Sequence, residues 1–180
     1  MAENNLKERY LRAKRRLFEI HYAKLNGEQR EAVFTTEGSL LILAGAGSGK
    51  TTVLVNRIVF IVKYGNAYFS EYVPYDISEG QVKMLERAAE LPTGETEELL
   101  NEFISAPCPP WQMLAITFTN KAANEIKNRL ANAIDEDAAK SIWLPKSRVS
   151  EIGTKVKLVL LTLVPRTPSL MAPNVNLLVL

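Results

Sequence analysis

The chain has 180 residues, 47% hydrophobic and 23% charged, a balance that suits a single globular domain. A net charge of +2 selects no partner, the lone Cys108 excludes an internal disulfide, and the lone His21 excludes multi-histidine metal centres. The N-terminus has no signal-peptide core, and no apolar run approaches the ~20 residues of a membrane-spanning helix. An intracellular, cytoplasmic protein without membrane contact is expected.

In chain order, Leu6, Tyr10, Ala13, Leu17 and Tyr22 recur near helical spacing, which predicts an amphipathic helix over 4–24. Its other faces are basic: Lys7, Arg9, Arg12, Lys14, Arg15, Arg16 and Lys24 stand against Glu3, Glu8 and Glu19. Such a face either meets a nucleic-acid backbone or is simply solvated. Asn26 and Gln29 have the spacing of an N-cap and its reciprocal partner, starting a helix that runs to about Phe34. After Gly38, Leu40 to Leu43 read as a buried strand. Val53, Leu54, Ile58, Ile61 and Val62 then give a helix its apolar stripe, ending near Gly65.

Residues 66–110 resemble an insertion, punctuated by Pro74, Pro92, Pro107, Pro109 and Pro110, with helical pieces near 78–91 and 95–105. From Glu71 to Glu102 only Lys83 and Arg87 oppose the carboxylates, which argues against contact with nucleic-acid phosphates. The segment shows no site chemistry and is expected to be a surface decoration. Gln112 to Thr119 returns to strand character, and Asn120 to Ile134 is helical, with Ala122, Ala123, Ile126, Leu130 and Ala133 on one side. Two successive strand–loop–helix units predict an α/β fold with a parallel sheet covered by helices.

The chemistry concentrates between the first strand and its helix, at Ala44-Gly45-Ala46-Gly47-Ser48-Gly49-Lys50-Thr51-Thr52. This is a phosphate-binding P-loop with Ala44 in the first glycine position of the usual pattern. Gly45, Gly47 and Gly49 let backbone amides approach phosphate oxygens, and the helix N-terminus adds its own amides to that nest. Lys50 reaches the β- and γ-phosphates and is the catalytic candidate; the Thr51 hydroxyl holds Mg²⁺. The expected ligands are therefore a nucleoside triphosphate and Mg²⁺. A glycine-rich turn without a ligand is the competing account, and the strand before and helix after count against it.

Three blocks carry a family resemblance: Leu25-Asn26-Gly27-Glu28-Gln29-Arg30-Glu31-Ala32-Val33, the P-loop, and Leu114-Ala115-Ile116-Thr117-Phe118-Thr119-Asn120-Lys121-Ala122-Ala123-Asn124-Glu125-Ile126. Together they resemble the first RecA-like subdomain of a superfamily 1 DNA helicase of the UvrD/PcrA/Rep type. The resemblance covers about 25–134, and 25–143 is taken as a partial RecA-like P-loop NTPase domain. It implies ATP-dependent 3′→5′ translocation by the parent enzyme, with single-stranded DNA as partner. Gln29 matches the glutamine that reads the adenine edge, for which a carboxamide has a donor and an acceptor side by side; it also suits a capping box, and the two roles are compatible. Thr52 stands where many relatives carry an arginine that stacks on the base. Thr117, Phe118, Thr119, Asn120 and Lys121 match the motif that lies along single-stranded DNA; Phe118 either stacks on a base or fills the core. Asn120-Lys121-Ala122-Ala123 favours this type over the helicase–nuclease subunits.

The family's DEXX-type motif and the arginines of the second RecA-like half are not found. Asp135-Glu136-Asp137 is an acidic helix end, not a motif following an apolar strand. On its own the chain is expected to bind nucleotide without turning it over. An ATP- or DNA-binding module without catalysis is the alternative from another class. Leu144 to Leu180 has no aromatic residue, and Lys155 to Val164 suits a strand whose register resembles nothing in the family, as a shifted reading frame or truncation near Trp143 or a divergent tail would give. The strands flanking the P-loop strand come from later in sequence in the family, so the two clear strands here are not expected to be neighbours.

Overall fold

The computed structural model describes residues 2–42, 47–90, 96–115, 119–142, 144, 161–163 and 176–179. Among these, helices α1 (Ala2–His21), α2 (Gly27–Phe34), α3 (Lys50–Tyr64), α4 (Glu79–Glu90), α5 (Thr96–Asn101), α6 (Asn120–Ala133) and α7 (Glu136–Ser141) alternate with four short strands. The strands are β1 (Leu40–Leu41), β2 (Met113–Ala115), β3 (Leu161–Leu163) and β4 (Asn176–Val179).

Helix α3 divides two cores. Val53, Leu54, Val55, Ile58, Val59, Phe60, Ile61 and Tyr64 are all buried, and a helix apolar on nearly every side must be covered on nearly every side. One flank, through Val53, Phe60 and Tyr64, joins α1, α2, α4 and α5 around Leu17, Phe18, Tyr22, Val33, Phe34, Leu85, Leu100 and Phe103. The other, through Leu54, Ile58 and Ile61, packs on Met113, Ala115, Ile126, Leu130, Ala139 and Ile142. Leu40 and Ile42 of the P-loop strand region lie against both. The helix stops at Gly65, whose φ of +65° suits glycine. A Cβ at Gly65 would run into the backbone of Ser105 and Ala106.

Helix α1, which ends at His21 rather than at 24, buries the expected Tyr10, Ala13 and Leu17 and adds Phe18 and Lys14, and Tyr22 is buried just beyond its end. Its basic face has a partner inside the chain. Arg9 forks onto Glu86 through Nε and Nη2 at 2.9 and 2.7 Å and reaches Glu79 through Nη1 at 2.7 Å. The acidic α4 is thus the counter-surface of the basic α1. The expectation of a mere surface decoration at 66–110 fails on the same grounds, since Val82, Leu85, Leu100 and Phe103 from that stretch are buried in the first core. Asn66 N–H donates to Ser105 O at 2.8 Å and Cys108 N–H to Ile61 O at 3.1 Å, tying its far end to the end of α3.

The strands form one mixed sheet in the order β1-β4-β3-β2. β1 pairs with β4 in parallel, while β4–β3 and β3–β2 are antiparallel. The expected parallel sheet is met only at the β1–β4 pair. As expected, β1 and β2 are not adjacent. Following the pairings across, β1, β4 and β2 point one way and β3 the other, so the chain leaves β1 and β2 from the same edge of the sheet.

Lys14 makes a prediction of its own. Its ammonium donates to Ser70 O, the residue is 2% exposed, and burial, with Arg15 nearby, pulls its pKa from 10.5 down to about 8. The unfolded chain then holds the proton more tightly than the folded one. Stability gains from this group as pH rises from about 8 towards 10.5, by about 1.4 kcal/mol per unit between those values. Denaturant titrations of wild type and Lys14→Met across that range should show the difference moving in favour of wild type. A constant difference would contradict the buried-ammonium account.

Candidate functional site

The strand-to-helix turn at 47–52 is held in the conformation that its glycines permit. Gly47 has φ +78° and Gly49 φ +81°, and Gly49 is the left-handed N-cap from which α3 starts. Leu43, Ala44, Gly45 and Ala46 lie outside the described residues. Helices α2, α6 and α7 each open under a capping side chain, from Asn26, Thr119 and Asp135. Helix α3 has no side-chain cap and no acidic residue in its first turn. Its leading amides and the positive end of its dipole are arranged for an anion from outside the helix. Lys50, Thr51 and Thr52 occupy that first turn, all half-buried. Ser48, just before it, is exposed.

Gln29 reaches this turn from α2. The capping box is complete, with Gln29 N–H donating to Asn26 Oδ1 at 2.9 Å and Asn26 N–H to Gln29 Oε1 at 3.1 Å. Its Nε2 donates to Ser48 O at 3.2 Å. A Cβ at Gly49 would sit 3.1 Å from that nitrogen, so the glycine also makes room for the carboxamide. Among the described residues each end of the amide is used once, and a carboxamide has a second Nε2 hydrogen and a second Oε1 lone pair.

The second group of candidates follows β2. Thr117 and Phe118 lie outside the described residues, so the choice for Phe118 between stacking and core-filling falls there too. Thr119, Asn120 and Lys121 are exposed at the start of α6. The Thr119 hydroxyl accepts from Ala122 N–H at 3.1 Å; its side chain works as a cap whatever else it touches. Ile126 and Leu130 anchor α6 in the second core, and Ala123 is buried as well. Because β1 and β2 run in the same sense, the chain leaves both strands from the same end of the sheet on its way to α3 and α6, the end where ligands of open α/β sheets collect.

Sequence reasoning missed one buried polar residue here, Arg57, which is fully buried in α3. Its signal was a charge inside an otherwise apolar run, Val53 to Val62, interrupted besides only by Asn56. Among the described residues no group of three or more His, Cys, Asp and Glu is placed to hold a metal ion, and no helix is long and apolar enough to cross a membrane.

Comparison with known proteins places the chain's sequence in a helicase family. The model of the UvrD/REP helicase N-terminal domain matches residues 25–73 and 95–154. It passes over the whole of α4 and continues beyond Trp143. The chain is similar to the ATP-dependent DNA helicase PcrA of Leuconostoc citreum, at 38% identity over 120 residues, which is 67% of this chain and 10% of that protein. Similarity to the PcrA helicases of Staphylococcus epidermidis and Staphylococcus aureus is the same in identity and extent, covering 11% of each. The chain therefore spans about a tenth of the length of these relatives. On the family match, which covers more than half of it, the chain belongs to the UvrD/REP helicases and carries part of their N-terminal domain.

Proposed function

We propose that this chain is the nucleotide-binding portion of an ATP-dependent DNA helicase that moves 3′→5′ along single-stranded DNA. The observation that carries the reading is the opening of α3: an uncapped helix N-terminus behind a left-handed Gly49, with Lys50 and Thr51 in its first turn. In this reading the amides from Gly45 to Thr51 cradle the triphosphate, Ala44 and Ala46 leave the loop narrow, and Lys50 neutralises the β- and γ-oxygens. Thr51 supplies one oxygen to Mg²⁺, the remaining positions going to phosphate and water. Gln29 reads the adenine edge, and Thr52 lies beside the base without stacking on it. Hydrolysis needs a water-activating carboxylate and arginines acting on the developing charge. Neither was found in the sequence, so the chain alone binds nucleotide without turning it over.

Single-stranded DNA is the proposed partner of Thr117 to Lys121. Few phosphates meet this short turn, and log affinity should fall with log salt at a shallow slope, on the order of −0.7 per phosphate contacted. Lys121→Ala is expected to flatten the slope by about one contact. Thr119→Ala is the wrong probe, because losing the cap costs about 1 kcal/mol of α6 stability by itself. Fluorescence anisotropy of a labelled oligonucleotide across a salt series reads both. Tight, salt-independent binding unaffected by Lys121→Ala would place the DNA elsewhere. The nucleotide half of the reading is tested by equilibrium binding of ATP with and without Mg²⁺. Absence of any saturable binding would refute it.

A further inference from the structure

Arg57 has no part in the nucleotide reading, yet it is a guanidinium fully buried in the middle of α3. Its Nη1 donates to Ala32 O at 2.5 Å and to Thr35 O. Its Nε and Nη2 have no hydrogen-bond partner among the described residues. Burial pushes its pKa down to about 10. A buried cation held by two carbonyls alone is an expensive way to fill space, and an aliphatic side chain there would be cheaper. What the guanidinium adds is direction.

Both of its acceptors lie at the C-terminal end of α2, where Thr35 is the C-cap. Carbonyls in that turn lack helical partners and carry the negative end of the dipole. The opposite end of α2 is fixed by Gln29, which donates to Ser48 O and packs on Gly49. So the start of α2 meets the start of α3, and the end of α2 meets Arg57. At 1.5 Å per residue, Gln29 to Thr35 rises about 9 Å and Gly49 to Arg57 about 12 Å. The two helices run side by side in the same sense, joined at both ends. A slip of α2 by one residue would turn it by about 100° and carry the Gln29 carboxamide off the phosphate turn. Two bonds at the far end oppose that rotation, together with the buried Val33 and Phe34 side chains.

We propose that Arg57 is a positioning residue: by holding the Ala32 and Thr35 carbonyls it fixes the rotation and height of α2, and thereby keeps Gln29 against the phosphate loop in the place where a purine edge is read. The consequence for base selectivity rests on the nucleotide reading above, whereas the geometry does not.

The test uses the full chain as wild type, Arg57→Met, Arg57→Lys and Gln29→Ala. Two quantities are measured: affinities for fluorescent ATP and GTP analogues, and the NMR resonances of the Gln29 side-chain amide without nucleotide. Wild type is expected to favour ATP, and Gln29→Ala to lose that preference. Arg57→Met is expected to lose most of it, on the order of tenfold, while affinity for tripolyphosphate stays within about twofold. Its Gln29 amide resonances move, and Arg57→Lys, which keeps a donor and the charge, restores part of both. If Arg57→Met does not fold, Arg57→Lys is read by the same two measurements with smaller changes expected. An unchanged ATP-to-GTP ratio together with an unmoved Gln29 amide, in whichever variant folds, reduces Arg57 to packing and overturns the proposal. Wild type that binds neither nucleotide refutes the nucleotide reading alone, and the Gln29 amide resonances then decide the role of Arg57 by themselves.

Discussion

Phe18→Ala is expected to lower the stability of the chain by about 3–5 kcal/mol, the range for truncating a buried aromatic. That is a large part of the ~5–15 kcal/mol that holds a typical domain together. The ring is fully buried. It meets Phe60 at 5.5 Å and Tyr64 at 5.3 Å edge-on from α3, Phe34 at 6.4 Å from α2, Tyr68 at 6.4 Å, and Phe103 at 6.3 Å beyond α5. Edge-on aromatic pairs add about 0.5–1.5 kcal/mol each beyond the area they bury. Because the neighbours come from four separate stretches, they cannot close the space without shifting helices that are fixed elsewhere, so the cavity term stays near its full size. For a chain of this length the midpoint should fall by on the order of 10 °C. Phe69→Ala, at a ring 52% exposed, serves as the control and should stay within about 0.5 kcal/mol. A fall of less than 1 kcal/mol in Phe18→Ala would mean that α1 is not part of the core.

That result bears on a region the family match does not include, since the match begins at residue 25. Helix α1 precedes it and α4 falls entirely in the gap between 73 and 95. These two helices pack against each other, with Arg9 forked between Glu79 and Glu86. The ion pairs are exposed enough that their worth is modest. Apolar burial carries the contact, through Tyr10, Leu17, Val82 and Leu85. Two segments outside the family pattern thus complete one core that the pattern alone leaves open.

The local elements were legible because they are set by short-range rules. The Asn26–Gln29 capping box, the start of α3 at the phosphate turn and its stop at Gly65 each depend on a few adjacent residues. The pairing of basic α1 with acidic α4 was not legible, because a charged face reads the same from sequence whether water, nucleic acid or another helix covers it. Phe18 was missed for a related reason. The stripe through Leu6, Tyr10, Ala13 and Leu17 describes one face, and Phe18 belongs to a second face that exists only because α2, α3 and the Phe103 turn enclose the helix. Sheet order fell to the same limit: the direction of β3 is a long-range fact about its neighbours.

Within the site, residue types at fixed spacing announced the phosphate turn, and Gln29 was legible both as a cap partner and as a neighbour of that turn. Thr119 was legible as a helix-start residue, although its capping bond to Ala122 makes it a poor probe of DNA contact. Arg57 was not singled out because helical periodicity marks it only as an interruption. Which carbonyls it meets depends on α2 and α3 running in the same sense, and nothing local to either helix states that.

Lys50→Ala is expected to remove most of the stabilisation that Mg·ATP gives the chain. At a concentration about 100 times the dissociation constant, a ligand that binds only the folded state adds about 2.7 kcal/mol. For a chain of this size that moves the midpoint upward by roughly 5–10 °C. The first turn of α3 has no side-chain cap, and backbone amides alone would leave most of the triphosphate charge unbalanced. Lys50 is the cation at that turn, and its removal strips the charge-assisted bonds that are about twice as strong as neutral ones. Truncation to Ala leaves the helix itself intact, since Ala is the best helix former, so the nucleotide-free midpoint should barely move. Two companions separate the contributions. Thr51→Ala should reduce the shift with Mg²⁺ present and leave the smaller shift in chelator unchanged, because the hydroxyl acts through the metal. Thr52→Ala should preserve most of the shift, as its side chain lies beyond the phosphates. Differential scanning fluorimetry with and without Mg·ATP decides the matter: an undiminished shift in Lys50→Ala would mean that the nucleotide binds somewhere other than this turn.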